Sequence, residues 1–190
     1  PDAAMGGTAQ LEEFRKALEN FRNSGKAIVS YMENPTNAGY YLASVSDKVY
    51  MTAYDGGMNM FYGLSSQMIF LKDALDRLGV NVQLIRHGKY KSAGEMFVRN
   101  SSSKENMEQN KAMVDSMWES WSSQIAQSRG ISVDDLNYML DNLELNFPSD
   151  FLEKGLVDEL LTLNQLHEKL AMLYVTDDYK HIKSISLTDY

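Results

Sequence analysis

The chain has 190 residues, 44% of them hydrophobic and 23% charged, which marks a globular sequence able to bury a sizeable core. A formal net charge of −8, with lysines and arginines scattered and no basic stripe among aromatics, argues against nucleic-acid binding and favours a role in solubility. The absence of cysteine excludes disulfides, thiolate nucleophiles and cysteine metal sites, and leaves the redox compartment open.

Leu11, Phe14, Leu18 and Phe21 recur at helical spacing among Glu12, Glu13, Arg15 and Lys16. They predict an amphipathic helix capped by Thr8 and ended by Asn23-Ser24-Gly25. Ala27-Ile28-Val29-Ser30-Tyr31-Met32 is a nearly continuous apolar run, as in a parallel strand covered on both faces. After the turn residues Asn34-Pro35-Thr36-Asn37, Gly39 to Ser44 read as a short helix and 49–53 as a second strand. Asp55-Gly56-Gly57 opens a loop, and Met68, Leu71, Ala74, Leu75 and Leu78 mark a further helix closed by Gly79. Residues 80–85, Val-Asn-Val-Gln-Leu-Ile, alternate apolar and polar and predict a third strand. Helices alternating with strands in this way argue for an α/β fold around a mostly parallel sheet.

The second half of the chain reads as helical. Ser102-Ser103-Lys104-Glu105 has the form of a capping box, and Met107, Val114, Met117, Trp118, Trp121 and Ile125 then line one broad face as far as Gly130. At that spacing the methionines and tryptophans read as ordinary core. Exposure of the face would turn the reading towards an oligomer interface. Ser132 to Asp135 cap a helix carrying Leu136, Met139, Leu140 and Leu143. Phe147-Pro148-Ser149-Asp150 opens a short helix that stops at Gly155, and Leu163, Leu166, Leu170 and Leu173 form the last one. The expected division is one domain over 1–175 and a polar, tyrosine-rich tail over 176–190. That tail reads as a linker, or as a strand added to another domain. No apolar run approaches the ~20 residues needed to span a membrane. No signal peptide is visible, and the opening Pro1-Asp2-Ala3-Ala4 reads as a cut from a longer protein. His87, His167 and His181 lack metal-ligand spacing, and the last two read as surface residues.

The segment richest in chemistry is Gly88-Lys89-Tyr90-Lys91-Ser92-Ala93-Gly94-Glu95. Ser92 and Glu95 have capping-box spacing, so Lys91 falls just outside a helix start, where the dipole disfavours an ammonium. A lysine must drop from a reference of about 10.4 to roughly 7–8 to serve as a general base. On the residues alone the plainer reading, a surface lysine beside a helix, is preferred.

Several pieces in the right order carry a resemblance. They are Ser24-Gly25-Lys26-Ala27-Ile28, Gly39-Tyr40-Tyr41-Leu42-Ala43-Ser44, the Tyr90-Lys91-Ser92-Ala93-Gly94-Glu95 stretch, and the less specific Gly155-Leu156-Val157-Asp158. Together with the closing Ile185-Ser186-Leu187-Thr188-Asp189-Tyr190, they make nearly the whole chain resemble the amino-terminal half of the long-form signal peptide peptidase A (protease IV) family. The resemblance implies a ClpP/crotonase-like α/β fold with repeated ββα units. It also implies a serine–lysine dyad without a cofactor, in an oligomer anchored to the inner membrane and facing the periplasm, acting on released signal peptides. The position matching the family's lysine is Lys91, which reverses the preference above and makes it the candidate catalytic base. Lys89, two residues back on the same side of an extended segment, would act as a neighbouring charge or a solvated side chain. Ser92 would cap the helix in preference to bonding the lysine.

The family's nucleophile lies in the other half, within Ser-Gly-Gly-Tyr-Tyr; here the corresponding residues are Asn37-Ala38-Gly39-Tyr40-Tyr41, with an amide in place of the hydroxyl. The expectation is therefore a lysine-donating domain, inactive without a second domain that supplies the serine. Gly6-Gly7 matches the family's oxyanion turn, but Met5 replaces its proline, and the pair reads as a structural turn. The alternative function is a non-catalytic oligomerisation or peptide-binding scaffold of the same fold. A self-contained acyl-coenzyme A enzyme lacks any acyl-pocket signature and rests on fold analogy alone.

Overall fold

The structure, a computed structural model, describes residues 7–186. In chain order its elements are α1 (Thr8–Asn23), β1 (Val29–Met32), α2 (Asn37–Ala43), β2 (Lys48–Thr52), α3 (Lys72–Arg77), α4 (Glu95–Val98), α5 (Lys104–Arg129), α6 (Val133–Asp141), α7 (Pro148–Glu153), β3 (Glu159–Leu161) and α8 (Leu163–Leu173), followed by a 3-10 turn at Tyr179–His181. They gather into two compact units, one formed by the chain up to Tyr62 and from Gln124 onward, the other by Gly63–Ser123.

The first unit holds a three-stranded parallel sheet in the order β1-β2-β3, with Tyr31 opposite Tyr50 and Tyr50 opposite Glu159. The predicted α/β class with a parallel sheet flanked by helices is the observed one. Parallel neighbours need a crossover, and α2 supplies it between β1 and β2; Thr36 caps it by accepting from the Gly39 N–H at 2.9 Å. The third strand is β3 and not the predicted 80–85. With three residues, β3 is too short to show a period in the sequence.

Tyr40 centres the core. It is fully buried, its ring lies 4.6 Å from Phe61 and 6.2 Å from Phe151, and its hydroxyl donates to the Leu156 carbonyl at 2.6 Å. Burial pushes the phenol well above its usual pKa, so it remains a donor. Tyr40→Phe is expected to cost about 1–3 kcal/mol, since it strands a buried carbonyl. A urea unfolding midpoint unchanged from wild type would show that the bond contributes nothing.

The same loop explains the Gly155 to Asp158 motif. Gly155 takes φ +74, a left-handed conformation suited to ending α7. Asp158 and Val49 exchange two bonds: the Asp158 N–H donates to the Val49 carbonyl at 2.7 Å, and the Asp158 carboxylate accepts from the Val49 N–H at 2.8 Å. Arg129 holds both ends, with Nη1 3.1 Å from the Asp158 carboxylate and Nη2 donating to the Gly155 carbonyl at 3.0 Å. Burial opposes ionisation of Asp158, but the Val49 N–H, Arg129 and Lys48 outweigh it and lower its pKa.

Arg15, read from its spacing as part of a polar helix face, is instead 1% exposed. Its guanidinium donates to the Tyr41 carbonyl, to Ser44 Oγ at 2.8 Å, to Ser128 Oγ at 2.7 Å and to the Gln124 carbonyl at 3.2 Å. Nε faces Glu19 at 3.2 Å, and the group lies 4.6 Å over the Tyr41 ring. Phe21, predicted for the apolar face, is 44% exposed. The cap of α1 is Gly7 and not Thr8, which is the first helical residue; Gly7 N–H donates to Gln10 Oε1 at 3.1 Å. Gly7 thus sits at a helix start as expected, while Met5 and Gly6 lie outside the described residues.

Ser132 and Asp135 form the predicted cap of α6, with the Asp135 N–H donating to Ser132 Oγ at 2.9 Å. Leu143 lies beyond that helix and is exposed. Of the face predicted for α5, Trp121 and Ile125 are buried and Met107 is exposed. The tail forms no strand through residue 186; Tyr179 stacks on His167 at 4.1 Å, and exposed His181 lies 2.9 Å from Asp177. The closing Leu187 to Tyr190 lie outside the described residues.

The second unit contains α3, α4 and the first part of α5, and no strand among its described residues. Leu71 N–H donates to the Met96 carbonyl at 2.7 Å, joining α3 to α4. The helix predicted from Met68 starts only at Lys72. Residues 80–85 form no ladder with any described strand. Ile85 is 96% exposed and Val80 46%, so the alternation that suggested a strand has no sheet face to bury.

Candidate functional site

Lys91 sits in the loop joining residues 80–85 to α4. Gly88, at φ +99, reverses the chain, and the Lys91 N–H reaches back to the Gly88 carbonyl at 3.4 Å. The segment is a turn and not the extended stretch expected. In a turn Lys89 and Lys91 do not share a side by alternation. Lys91 lines an open cavity of about 590 Å³ with Arg86, His87, Tyr90 and Asn106 among its neighbours. Lys89 instead places its ammonium 5.2 Å over the Tyr90 ring. The Lys91 side chain is exposed, and its ammonium has no hydrogen-bond or ion-pair partner among the described residues.

The predicted capping box at Ser92 and Glu95 does not form. Gly94 occupies the cap position of α4 without a side-chain bond, and the helix is four residues long. So few aligned peptides make a weak dipole, so that source of influence on a nearby ammonium is small. Ser92 neither caps nor bonds the lysine; its hydroxyl donates to Asn106 Oδ1 at 2.9 Å.

Glu95 turns inward and is 1% exposed. One carboxylate oxygen accepts from Arg86 Nη1 at 2.8 Å, and the other from the Ser103 N–H at 3.0 Å and Asn106 Nδ2 at 3.4 Å. Ser103 Oγ in turn accepts from the Asn106 N–H at 3.2 Å. The second predicted box is thus shifted by one residue, to Ser103 from Ser102, and the acid that completes it is Glu95 and not Glu105. A glutamate followed by Met96-Phe97-Val98, with an arginine upstream, was the available sign. Helical spacing to Ser92 gave the residue another role.

Hydrogen bonding from Ser103, ahead of the Arg86 guanidinium, outweighs burial and holds the Glu95 carboxyl at about 2 against the usual 4.5. With the folded value below the unfolded one, ionised Glu95 adds stability above about pH 4.5, and this is lost as pH falls towards 2. Carbon-13 NMR should find a Glu95 carboxyl midpoint near 2. A midpoint in the ordinary glutamate range, roughly 4.3, would contradict the network.

Asn37, expected from the resemblance to stand where the family has its nucleophile, is the first residue of α2, and its Oδ1 accepts from the Tyr62 N–H at 3.1 Å. An amide there supplies no hydroxyl for acyl transfer.

The sequence profile of Peptidase family S49 matches residues 20–175. The chain belongs to peptidase family S49. It is 30% identical to Protease 4 of Haemophilus influenzae over 92% of this chain and 29% of that protein. It is also 30% identical to the chloroplastic serine protease SPPA of Arabidopsis thaliana, over 97% of this chain and 28% of that protein. Protease 4 of Salmonella typhi is 32% identical over 62% of this chain and 19% of its own length. The chain therefore spans less than a third of the length of these relatives. Among the described residues, no helix is long and apolar enough to cross a membrane.

Proposed function

We propose that this chain is the lysine-donating part of a serine–lysine peptidase whose serine comes from a second domain. The reading is supported by two separate features, an amide at Asn37 where the family resemblance places the nucleophile, and a solvent-accessible Lys91 on a cavity. The neutral Lys91 amine takes the proton from the partner domain's serine hydroxyl as its oxygen bonds to the peptide carbonyl carbon. The resulting ammonium returns that proton to the leaving amine as the C–N bond breaks. A water molecule, deprotonated by the same amine, then releases the acyl group and restores the serine.

On this reading the chain alone is inactive, 1–175 act as one domain, and 176–190 lead to the domain that carries the serine. The substrates are signal peptides after their release. The whole protein is a homo-oligomer at the inner membrane, facing the periplasm. The exposure of Lys91 favours a second reading, an oligomerisation or peptide-binding scaffold. Turnover of a chromogenic peptide ester by the full-length protein separates the two. Loss with Lys91→Ala but not with Lys89→Ala supports the base, and normal turnover by Lys91→Ala leaves the scaffold.

A further inference from the structure

Among the described residues the charged side chains buried from solvent are Arg15 and Glu95. Arg15 ties helices together in the first unit. Glu95 is bound to the loop that carries Lys91. Arg86 stands five residues before the lysine and Glu95 four after it, and their ion pair at 2.8 Å closes the base of that loop. The middle is held separately, because Ser92, next to the lysine, donates to Asn106 Oδ1, while Asn106 Nδ2 lies 3.4 Å from the Glu95 carboxylate. The Ser103 N–H adds the first turn of α5 to the same oxygen. One carboxylate thus gathers the two ends of the loop, its centre and the helix beneath it. Apolar packing serves stability at least as well as a buried charge does. For a short loop outside any strand ladder, the charge ties both ends and the start of α5 to one point.

We propose that Glu95 is a positioning residue for the general base. Through Arg86 and Asn106 it fixes the Lys91 loop so that the amine meets the serine hydroxyl. The proposal rests on the reading of Lys91 as that base. Proton transfer needs heavy atoms within about 3 Å, and a misplacement near 1 Å costs about a hundredfold in rate.

The experiment measures kcat and KM of the full-length protein on a peptide ester, with kcat normalised to serine titratable by a phosphonate inhibitor. Hydrogen exchange over residues 86–95 is followed in parallel. Glu95→Gln is expected to lower kcat about a hundredfold with KM within about twofold, and to speed exchange in the loop. Asn106→Ala, which leaves the carboxylate with Arg86 and Ser103, should lower kcat about tenfold. Arg86→Lys, which keeps an ion pair, should retain far more activity than Arg86→Met. Wild-type kcat in Glu95→Gln or Asn106→Ala, with only the melting temperature lowered, overturns the proposal. Should Glu95→Gln fail to fold, Asn106→Ala decides. Lys91→Ala runs beside them. If it keeps turnover, the base reading itself fails. If it is inactive while Glu95→Gln is unimpaired, only the positioning role fails.

Discussion

Lys91→Ala is expected to lower kcat of the full-length protein by about 10²–10⁴-fold, the usual contribution of a positioned base. Its melting temperature should stay near that of the wild type, because an exposed side chain without a partner among the described residues adds little to stability. Lys91→Arg should be as inactive as the alanine variant. A guanidinium keeps the positive charge but does not give up its proton, so it separates a base from a mere cation. Lys89→Ala should stay within about twofold, since its ammonium rests over a ring and not on the cavity. Equal losses from both lysines would point to a shared electrostatic effect and away from a single base.

Arg15→Ala is the substitution with the largest expected effect on stability, about 2–5 kcal/mol, the usual cost of truncating a large buried side chain. It removes one donor to the Tyr41 carbonyl and to the Ser44 hydroxyl, both buried, and leaves a void where the guanidinium lay against the Tyr41 ring. Glu19 is 40% exposed and can turn to water, and Ser44 Oγ still donates to the Tyr41 carbonyl at 2.9 Å, so the cost falls on the lost guanidinium bonds and the void. Denaturant unfolding measures it directly; a loss under about 1 kcal/mol would mean that water replaces the guanidinium at low cost.

Both residues show where sequence reading stops. Features with a local cause were legible: the Ser132 to Asp135 cap lies within four residues, and the apolar run through Met32 marks a parallel strand, although β1 covers only Val29–Met32 and lies at the sheet edge with Val29 exposed, not covered on both faces. Arg15 was not legible, because charge predicts exposure unless distant partners are known, and Ser128 and the Gln124 carbonyl lie far along the chain. Residues 80–85 failed the opposite way. Their alternation is a real local preference, but a strand also needs a neighbour, and none pairs with them among the described residues.

At the site, the sequence picked out the stretch from Gly88 to Glu95 and the substitution at Asn37, through residue type and order alone. It did not give the part played by Glu95, whose spacing to Ser92 fitted a helix cap equally well. The choice between the two depended on Arg86, Ser103 and Asn106, which meet the carboxylate only after folding.

The pairing of Tyr50 with Glu159 has a consequence for how the protein is made. During synthesis β1, α2 and β2 emerge well before β3, so β2 must wait through α3 to α7 before its second neighbour exists. Until then one side of β2 lacks its partner, and its backbone donors and acceptors are open to any other extended segment. Closing so long a loop adds only slowly growing entropy, so the delay is a matter of rate more than of final stability. A ribosome stalled before Glu159 should therefore hold a nascent chain that proteases cut readily, and release of the last helix should make it resistant.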